Sequence, residues 1–368
     1  MTLRPTPTIR DVAKAAGVSV GTVSKALNKT GTIAPETRSR VIEAAEKLQF
    51  RPNTLAKSLQ SGLSGTVGPI SSDSFGRFTM PIMEGLEAVL APLGMGVFMC
   101  NATDDPTREA AHVEQLLAKQ VDGIIVTARR SDRRPGVHLS GLGIPVIHVY
   151  ARSDDDDGLT FLPDDHGGAV MAVQHLAEIG RRRIAHITGP AHFEAVQLRR
   201  MGYLAALTTS GLAPGDILIG KWTEEWGREA VAQLYGPGRS NPDALFCGND
   251  QIARGAADAL REMGRRVPDD VAIVGFDNWG VMAEAARPPL TSIDMNLPGL
   301  GAGAGRCMAR MIDGHHEAGQ RLLPCTLVPR ASTLGQSKVG PSCGNTHLSR
   351  SAMSRSPGHS GPSGLIAC

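Results

Sequence analysis

Between Thr8 and Asn28 the chain reads TIRDVAKAAGVSVGTVSKALN, a stretch that leaves little choice of local structure. Thr8 is a candidate helix N-cap, with Asp11 three residues on at the capping-box position. Ile9, Val12, Ala13 and Ala16 then share one helical face. Gly17 stops that helix and Ser19 offers a second N-cap. Val23, Ala26 and Leu27 give the buried stripe of a second short helix. Two short helices joined by a glycine-containing turn form a helix-turn-helix. The outward positions of the second helix, Val20, Gly21, Ser24, Lys25 and Asn28, are small or hydrogen-bonding. Such a helix can lie deep in a major groove, where Lys25 can donate to guanine O6 and N7. Ser19, Thr22, Ser24 and Asn28 suit phosphates, which fix register without reading sequence. An ordinary αα-hairpin requires neither feature.

Charge agrees with the pattern. Residues 1–60 hold ten Lys/Arg against four Asp/Glu, whereas the other residues hold 28 against 32. A small basic module is joined to a mildly acidic body, as a nucleic-acid-binding head would be. A third helix is expected from Pro35 to about Leu48, with proline at N1 and a poor N-cap in Ala34. After Phe50-Arg51-Pro52, Asn53 can cap a segment to Gln60 whose apolar points are Leu55, Ala56 and Leu59. It is shorter than the roughly 12–15 residues an isolated helix needs in water, so it is expected to fold on contact with a partner. Gly62, Ser64 and Gly65 are expected to make a flexible joint.

From Thr66 the period changes. Strands are expected at Gly96–Cys100, Gly123–Thr127, Pro145–Val149, Ile184–Thr188, Ala244–Cys247 and Val271–Phe276. Helices are expected at Pro81–Leu93, Arg108–Lys119, Gly167–Ile179, Leu198–Ser210, Glu225–Leu234, Gln251–Met263 and Leu300–Ile312. Strands alternating with helices imply βαβ units and parallel sheets, here in two subdomains with the ligand site of an open α/β sheet.

The runs DVAKAAGVSVGTVSKALN and APETRSRVIEAAEKLQFRPNTLAKSL resemble the DNA-binding headpiece and hinge of the LacI/GalR family of bacterial transcription regulators. LAEIGRRRIAHITGP, ALFCGNDQIARGAADALRE, DVAIVGFDNW, RPPLTSIDMNLPGLG and LVPRAST resemble its body. The resemblance implies an all-α helix-turn-helix headpiece over 1–50 and a hinge helix and linker over 51–65. It further implies a two-subdomain periplasmic-binding-protein-like α/β body over 66–337, which binds effector and dimerises. Val20, Gly21 and Lys25 would occupy the base-reading positions. Leu59 would take the place of the hinge leucine that wedges into the minor groove, and Thr8 and Asn53 would complete the DNA-contacting set. Arg199 matches the family's effector-binding arginine and Trp222 an aromatic that packs on the effector. Asn249 and Asp277 lie in the GND and GFDN strand ends, and Asp73 and Phe78 near the first strand. Such groups suit a polyhydroxylated ligand, with a sugar the expected class.

Two positions depart from that pattern. The first strand, VGPISSD, carries Pro69, which a sheet tolerates at an edge or a strand end. Tyr150 stands where the family usually has an aspartate. The Asp154–Asp157 run is expected to be solvated, and the Ser/Gly/Pro-rich 338–368 tail disordered.

The expectation is a cytoplasmic, homodimeric repressor of pseudo-palindromic operator DNA, controlled by a small carbohydrate effector and needing neither metal nor cofactor. A transporter's solute-binding protein would share the body, but the basic head and the absence of an apolar segment in Met1–Pro7 argue against it. An enzyme reading finds no HExxH and no P-loop. The Gly301–Gly305 stretch reads as close helix packing and His315-His316-Glu317 as a polar helix end. A protein corepressor in place of the small effector stays open. Six scattered cysteines without a CxxC pair fit a reducing compartment.

Overall fold

The structure, a computed structural model, describes residues 7–28, 30–51, 62–74, 76–129, 132, 139, 141–153 and 158–335. Asn53, Leu59 and most of the hinge lie outside these residues, as do Asp154–Asp157 and the 338–368 tail. Three helices open the chain: α1 (Ile9–Ala16), α2 (Val20–Leu27) and α3 (Pro35–Lys47). They bury Val12, Ala13, Ala16, Val23, Ala26, Val41, Ala44 and Ala45 against one another. Gly17 ends α1 in the left-handed region at φ 64°, and the Val18 amide donates back to the Ala13 carbonyl.

The chain forms two compact units, neither of them a single continuous stretch. Unit 1 comprises Met1–Gly167, Phe193–Ala195 and Met295–Cys325; unit 2 comprises Gly168–His192, Val196–Asp294 and Thr326–Cys368. The sheet of unit 1 contains β1 (Thr66–Ser71), β2 (Gly96–Val97), β3 (Cys100–Asn101), β4 (Gly123–Thr127), β5 (Val146–Val149), β6 (Leu159–Pro163) and β12 (Gln320–Leu323). Its order is β12-β6-β5-β4-β1-β2, with β3 also beside β1, and every pairing is parallel. Its helices are α4 (Thr79–Leu90), α5 (Pro106–Ala118) and α11 (Leu297–Ile312). All five residues of β4 and of β6 are buried, as expected of a parallel sheet covered on both faces. Helices α4 and α11 touch through glycine: a Cβ on Gly85 would come 1.9 Å from the Pro298 carbonyl oxygen, and one on Gly301 1.9 Å from that of Ile82. The Gly301–Gly305 stretch is therefore close helix packing.

Pro69 sits inside β1, between β4 and β2/β3, and not at the edge or strand end expected of it. The carbonyls of Val67 and Ser71 accept from Phe98 and Ala102, so Pro69, in step with them, also faces the β2/β3 side. Opposite Pro69 that neighbour is interrupted, between Val97 and Cys100. The missing proline donor accounts for the break, and Gly96–Cys100, expected as one strand, forms two short pieces. The joint before β1 is also more tied than its glycines suggest. The buried Asp122 carboxylate accepts the amides of Ser64, Gly65 and Thr66 at 2.7, 2.7 and 3.1 Å.

The sheet of unit 2 contains β7 (Ile184–Thr188), β8 (Ile217–Ile219), β9 (Ala244–Cys247), β10 (Ala272–Phe276), β11 (Thr291–Asp294) and β13 (Thr326–Val328). Its order is β13-β11-β10-β9-β7-β8, parallel except for β13 against β11. Its helices are α6 (Asp165–Glu178), α7 (Glu194–Thr209), α8 (Glu224–Leu234), α9 (Asp250–Glu262), α10 (Gly280–Ala283) and α12 (Ala331–Leu334), with the first residues of α6 and α7 in unit 1. In each sheet the order reverses once, between β1 and β4 and between β7 and β9. The carboxyl ends of strands at such a reversal form the ligand crevice of doubly wound sheets.

Candidate functional sites

Helix α2 presents Val20, Gly21, Lys25 and Asn28 to solvent, with Val20 40% exposed. Ser19 caps it, its Oγ accepting the Thr22 amide at 3.1 Å and lying 2.9 Å from Thr22 Oγ1. Ser24 Oγ accepts Asn28 Nδ2 at 3.4 Å. The polar side chains expected to meet phosphates thus hold one another along the edge of the helix. Thr8 is differently engaged: its amide and hydroxyl both donate to Asp11 Oδ2, at 2.8 and 2.7 Å. These bonds, the hydroxyl first, hold the Asp11 carboxyl below the usual carboxylate range. Ala34 provides no side-chain cap for α3.

In unit 2, Arg199, Trp222, Asn249 and Asp277 gather around Gly248, at the carboxyl ends of β7, β9 and β10. Arg199, on α7, is 3% exposed. Its guanidinium lies 3.6 Å over the Phe276 ring, donates through Nη1 to the Gly248 carbonyl at 2.5 Å, and comes within 3.8 Å of Asp277 Oδ1. Trp222 packs where side chains on Gly189 and Gly248 would stand: a Cβ there would come within 2.2 and 3.1 Å of its ring. Asn249 is used locally, its Oδ1 accepting the Ile252 amide at 2.8 Å to cap α9. Asp277 has φ 98° and Asn278 φ 49°, two successive non-glycine residues in the left-handed region. Such strain persists only where surroundings fix it. Here the amides of Asp277, Asn278 and Trp279 donate to the Ile293 carbonyl, Ser292 Oγ and Asp250 Oδ2. Asp250, wholly buried, also accepts Ser292 Oγ at 2.6 Å. It is a supporting residue that the sequence reading missed; its one signal is an acid directly after the Asn249 cap.

Beneath this cluster His186 is fully buried, its ring 4.6 Å from Phe246 and 5.3 Å from Tyr203, with Nδ1 2.9 Å from the Phe246 carbonyl. Burial pushes its pKa down to about 4, partly opposed by that hydrogen bond and reinforced by Arg199 and Arg200. Burial also raises the Tyr203 hydroxyl to about 12.

In unit 1, Asp73 and Phe78 follow β1. Asp73 is 3% exposed, and its Oδ2 accepts the amides of Phe78 and Thr79 at 2.8 and 3.1 Å, tying down the start of α4. Tyr150, directly after β5, stacks on Phe78 with centroids 4.8 Å apart and planes at 27°. Away from these clusters, Glu317 is taken by Arg310 and Arg321 at 2.5 and 3.1 Å, so the His315-His316-Glu317 stretch is an ion-paired helix end.

Residues 8–53 match the family model for bacterial regulatory proteins of the lacI family, and 173–333 that for a periplasmic binding protein-like domain. The chain is 32% identical over 332 residues to the HTH-type transcriptional regulator DegA of Bacillus subtilis (strain 168), covering 89% of this chain and 98% of that one. It is 32% identical over 326 residues to the HTH-type transcriptional repressor PurR of Haemophilus influenzae (strain PittEE), covering 88% and 96%. The Lac repressor dimer bound to operator and the anti-inducer ONPF is similar at a TM-score of 0.71 and 28% identity, covering 89% of this chain and 99% of that one. A transcriptional regulator CelR–cellobiose complex is similar at 0.62 and 29%, with the same coverage. These relatives are transcriptional regulators and not enzymes. No helix among the described residues is long and apolar enough to cross a membrane. With a helix-turn-helix head, two doubly wound units and relatives matched over nearly their whole length, the chain belongs to the LacI family of DNA-binding, ligand-regulated transcription regulators.

Proposed function

We propose that the chain is a cytoplasmic repressor that binds a pseudo-palindromic operator as a homodimer and is controlled by a small polyhydroxylated effector, a sugar. The exposed, small-residue face of α2 carries the DNA reading, with Val20, Gly21 and Lys25 toward base edges and Ser19, Thr22, Ser24 and Asn28 toward phosphates. A single such helix reads a short half-site, so two symmetric heads are needed for useful affinity. Residues 1–50 act as the head, 51–65 as the hinge, with Asn53 and Leu59 in its DNA contacts, and 66–337 as the effector-binding and dimerising body.

The Arg199–Asp277 pair carries the effector reading. A rigid guanidinium fork and a carboxylate, both nearly buried at strand ends beside Trp222, suit adjacent hydroxyls and an apolar ring face. The PurR relatives are named repressors, and the CelR structure is a cellobiose complex, which supports a sugar-sized ligand. The effector shifts operator affinity by its differential affinity for two states, typically about 1–3 kcal/mol. Operator selection from a randomised library, repeated with each compound of a sugar panel, tests this. A protein that selects no sequence, or whose selected operator no small molecule affects, overturns the corresponding half.

A further inference from the structure

We propose that Asp122, an acid of the body, is a positioning residue for operator binding: its carboxylate fixes where the chain from the DNA-reading head enters the sheet of unit 1. The inference rests on the homodimer reading above and concerns the last stretch of chain before β1. Asp122 directly precedes β4 and is 7% exposed. Its Oδ1 accepts the Ser64 amide at 2.7 Å, and its Oδ2 those of Gly65 and Thr66 at 2.7 and 3.1 Å. Ser64 Oγ accepts the Thr66 amide as well, at 3.1 Å. Gly65 stands in the left-handed region at φ 67°, and the three successive amides turn to one side. Such a nest of N–H groups suits an anion, and here the chain's own carboxylate fills it.

The sheet itself does not need this clamp. β1 is an inner strand, hydrogen-bonded to β4 on one side and to β2 and β3 on the other. The carbonyls of Gly65 and Thr66 are tied by backbone alone, to the amides of Gly96 and Asp122 at 2.7 and 2.8 Å. What the carboxylate adds is order one residue further out, at Ser64, through bonds about twice as strong as those between neutral groups. Twelve residues, 52–63, separate Ser64 from Arg51 at the end of the head. In a dimer on two half-sites, both heads are engaged at once only when both connections start from set points. A residue left free at that start has to be ordered on binding, which weakens it by roughly five- to thirtyfold. A head on a single half-site meets no such demand.

The test uses the full chain and two duplexes: a palindromic operator selected by the protein, and the same duplex with one half-site scrambled. Asp122→Ala removes the acceptor, and Asp122→Asn keeps its size while replacing one acceptor oxygen by a donor. Both are expected to weaken binding to the palindrome by about five- to thirtyfold and to leave binding to the single half-site unchanged. Hydrogen exchange reports on the clamp directly: the amides of Ser64, Gly65 and Thr66 should exchange faster in both variants, while those of β4 stay as in wild type. If Asp122→Ala fails to fold, as loss of β4 protection would show, Asp122→Asn decides alone. The proposal is overturned if the three amides stay protected, if the palindrome is bound as tightly as by wild type, or if both duplexes are weakened alike. Loss of β4 protection in both variants would mark Asp122 as a residue of the fold and overturn it too. A wild-type protein that binds the two duplexes equally well overturns the homodimer reading, and the positioning role with it.

Discussion

The guanidinium of Arg199 lies flat against the Phe276 ring, 3.6 Å from its centroid. Phe276 is the last residue of β10, and Asp277 follows it directly. The residue that supports the cation from below is therefore covalently joined to the acid beside it. The geometry of the pair is set by one strand end rather than by two mobile side chains.

From this follows the behaviour of the pair when one member is changed. Asp277→Asn keeps a residue tolerant of φ 98° and removes the charge; Arg199→Ala removes the fork. Both are expected to lose the effector response while keeping operator affinity, measured by operator titration with and without a compound found in the screen. Removing one partner of a buried pair costs about 3–5 kcal/mol, so a lowered melting temperature is expected as well. Folded protein that no longer binds operator, or that responds like wild type, would place the site elsewhere.

At the head, Lys25→Ala should weaken operator binding by roughly 1–3 kcal/mol and relax one base position. The check is selection from a randomised operator library with both proteins. Uniform weakening at every position would instead mark Lys25 as a phosphate contact.

His186 gives the body an acid-sensitive core. The folded pKa of about 4 lies below the ordinary 6.5, so the neutral ring is the one that folds. The unfolded chain takes up the proton first. Stability is fully present above pH 6.5 and falls as the pH drops from there to about 4, by about 3 kcal/mol. His186→Phe retains a ring in the stack with Phe246 and Tyr203. Urea unfolding of this variant between pH 7 and 4 should show a shallower loss of stability than wild type, whatever its absolute value. An unchanged slope would mean that other groups govern the acid limb.

Where α4 and α11 cross, Gly301→Ala would force a methyl group to within 1.9 Å of the Ile82 carbonyl oxygen. Neither partner atom is the end of a flexible side chain, so the helices must separate. A loss of at least about 1–3 kcal/mol in urea unfolding is expected. Full stability in the variant would show that the crossing relaxes freely.

Strands buried on both faces were legible as continuous apolar runs: Gly123–Thr127, Ile184–Thr188 and Ala244–Cys247 are observed with those bounds. Most of those that escaped are short, polar or exposed. Thr291–Asp294 reads TSID, Gln320–Leu323 is largely solvent-facing, and Leu159–Pro163 is buried but ends in proline beside an acidic run. Their strand character comes from a neighbour in the sheet rather than from their own periodicity. At the candidate sites, Asn249 and Asp277 fall at the strand ends expected of them, after β9 and β10, but their sequence did not show what each side chain does there. Asn249 and Asp73 carry groups that could hold a ligand, yet their oxygens satisfy helix-start amides. Capping is a local demand that any ligand role must share. The stacking of Tyr150 on Phe78 depends on a turn of the backbone that no spacing of residues announces.

The discontinuous path of the chain bears on how the protein is made. Unit 1 draws α11 and β12 from Met295–Cys325, and unit 2 takes β13 and α12 from beyond Thr326. On the ribosome, the Gly85 face of α4 and the open side of β6 wait for partners encoded more than 130 residues later. The three-helix head has all of its core by Phe50 and can fold as soon as it emerges. A nascent chain would thus carry a finished DNA-reading head well before it has a completed body, and a message truncated before codon 295 would yield a folded head on two unfinished sheets.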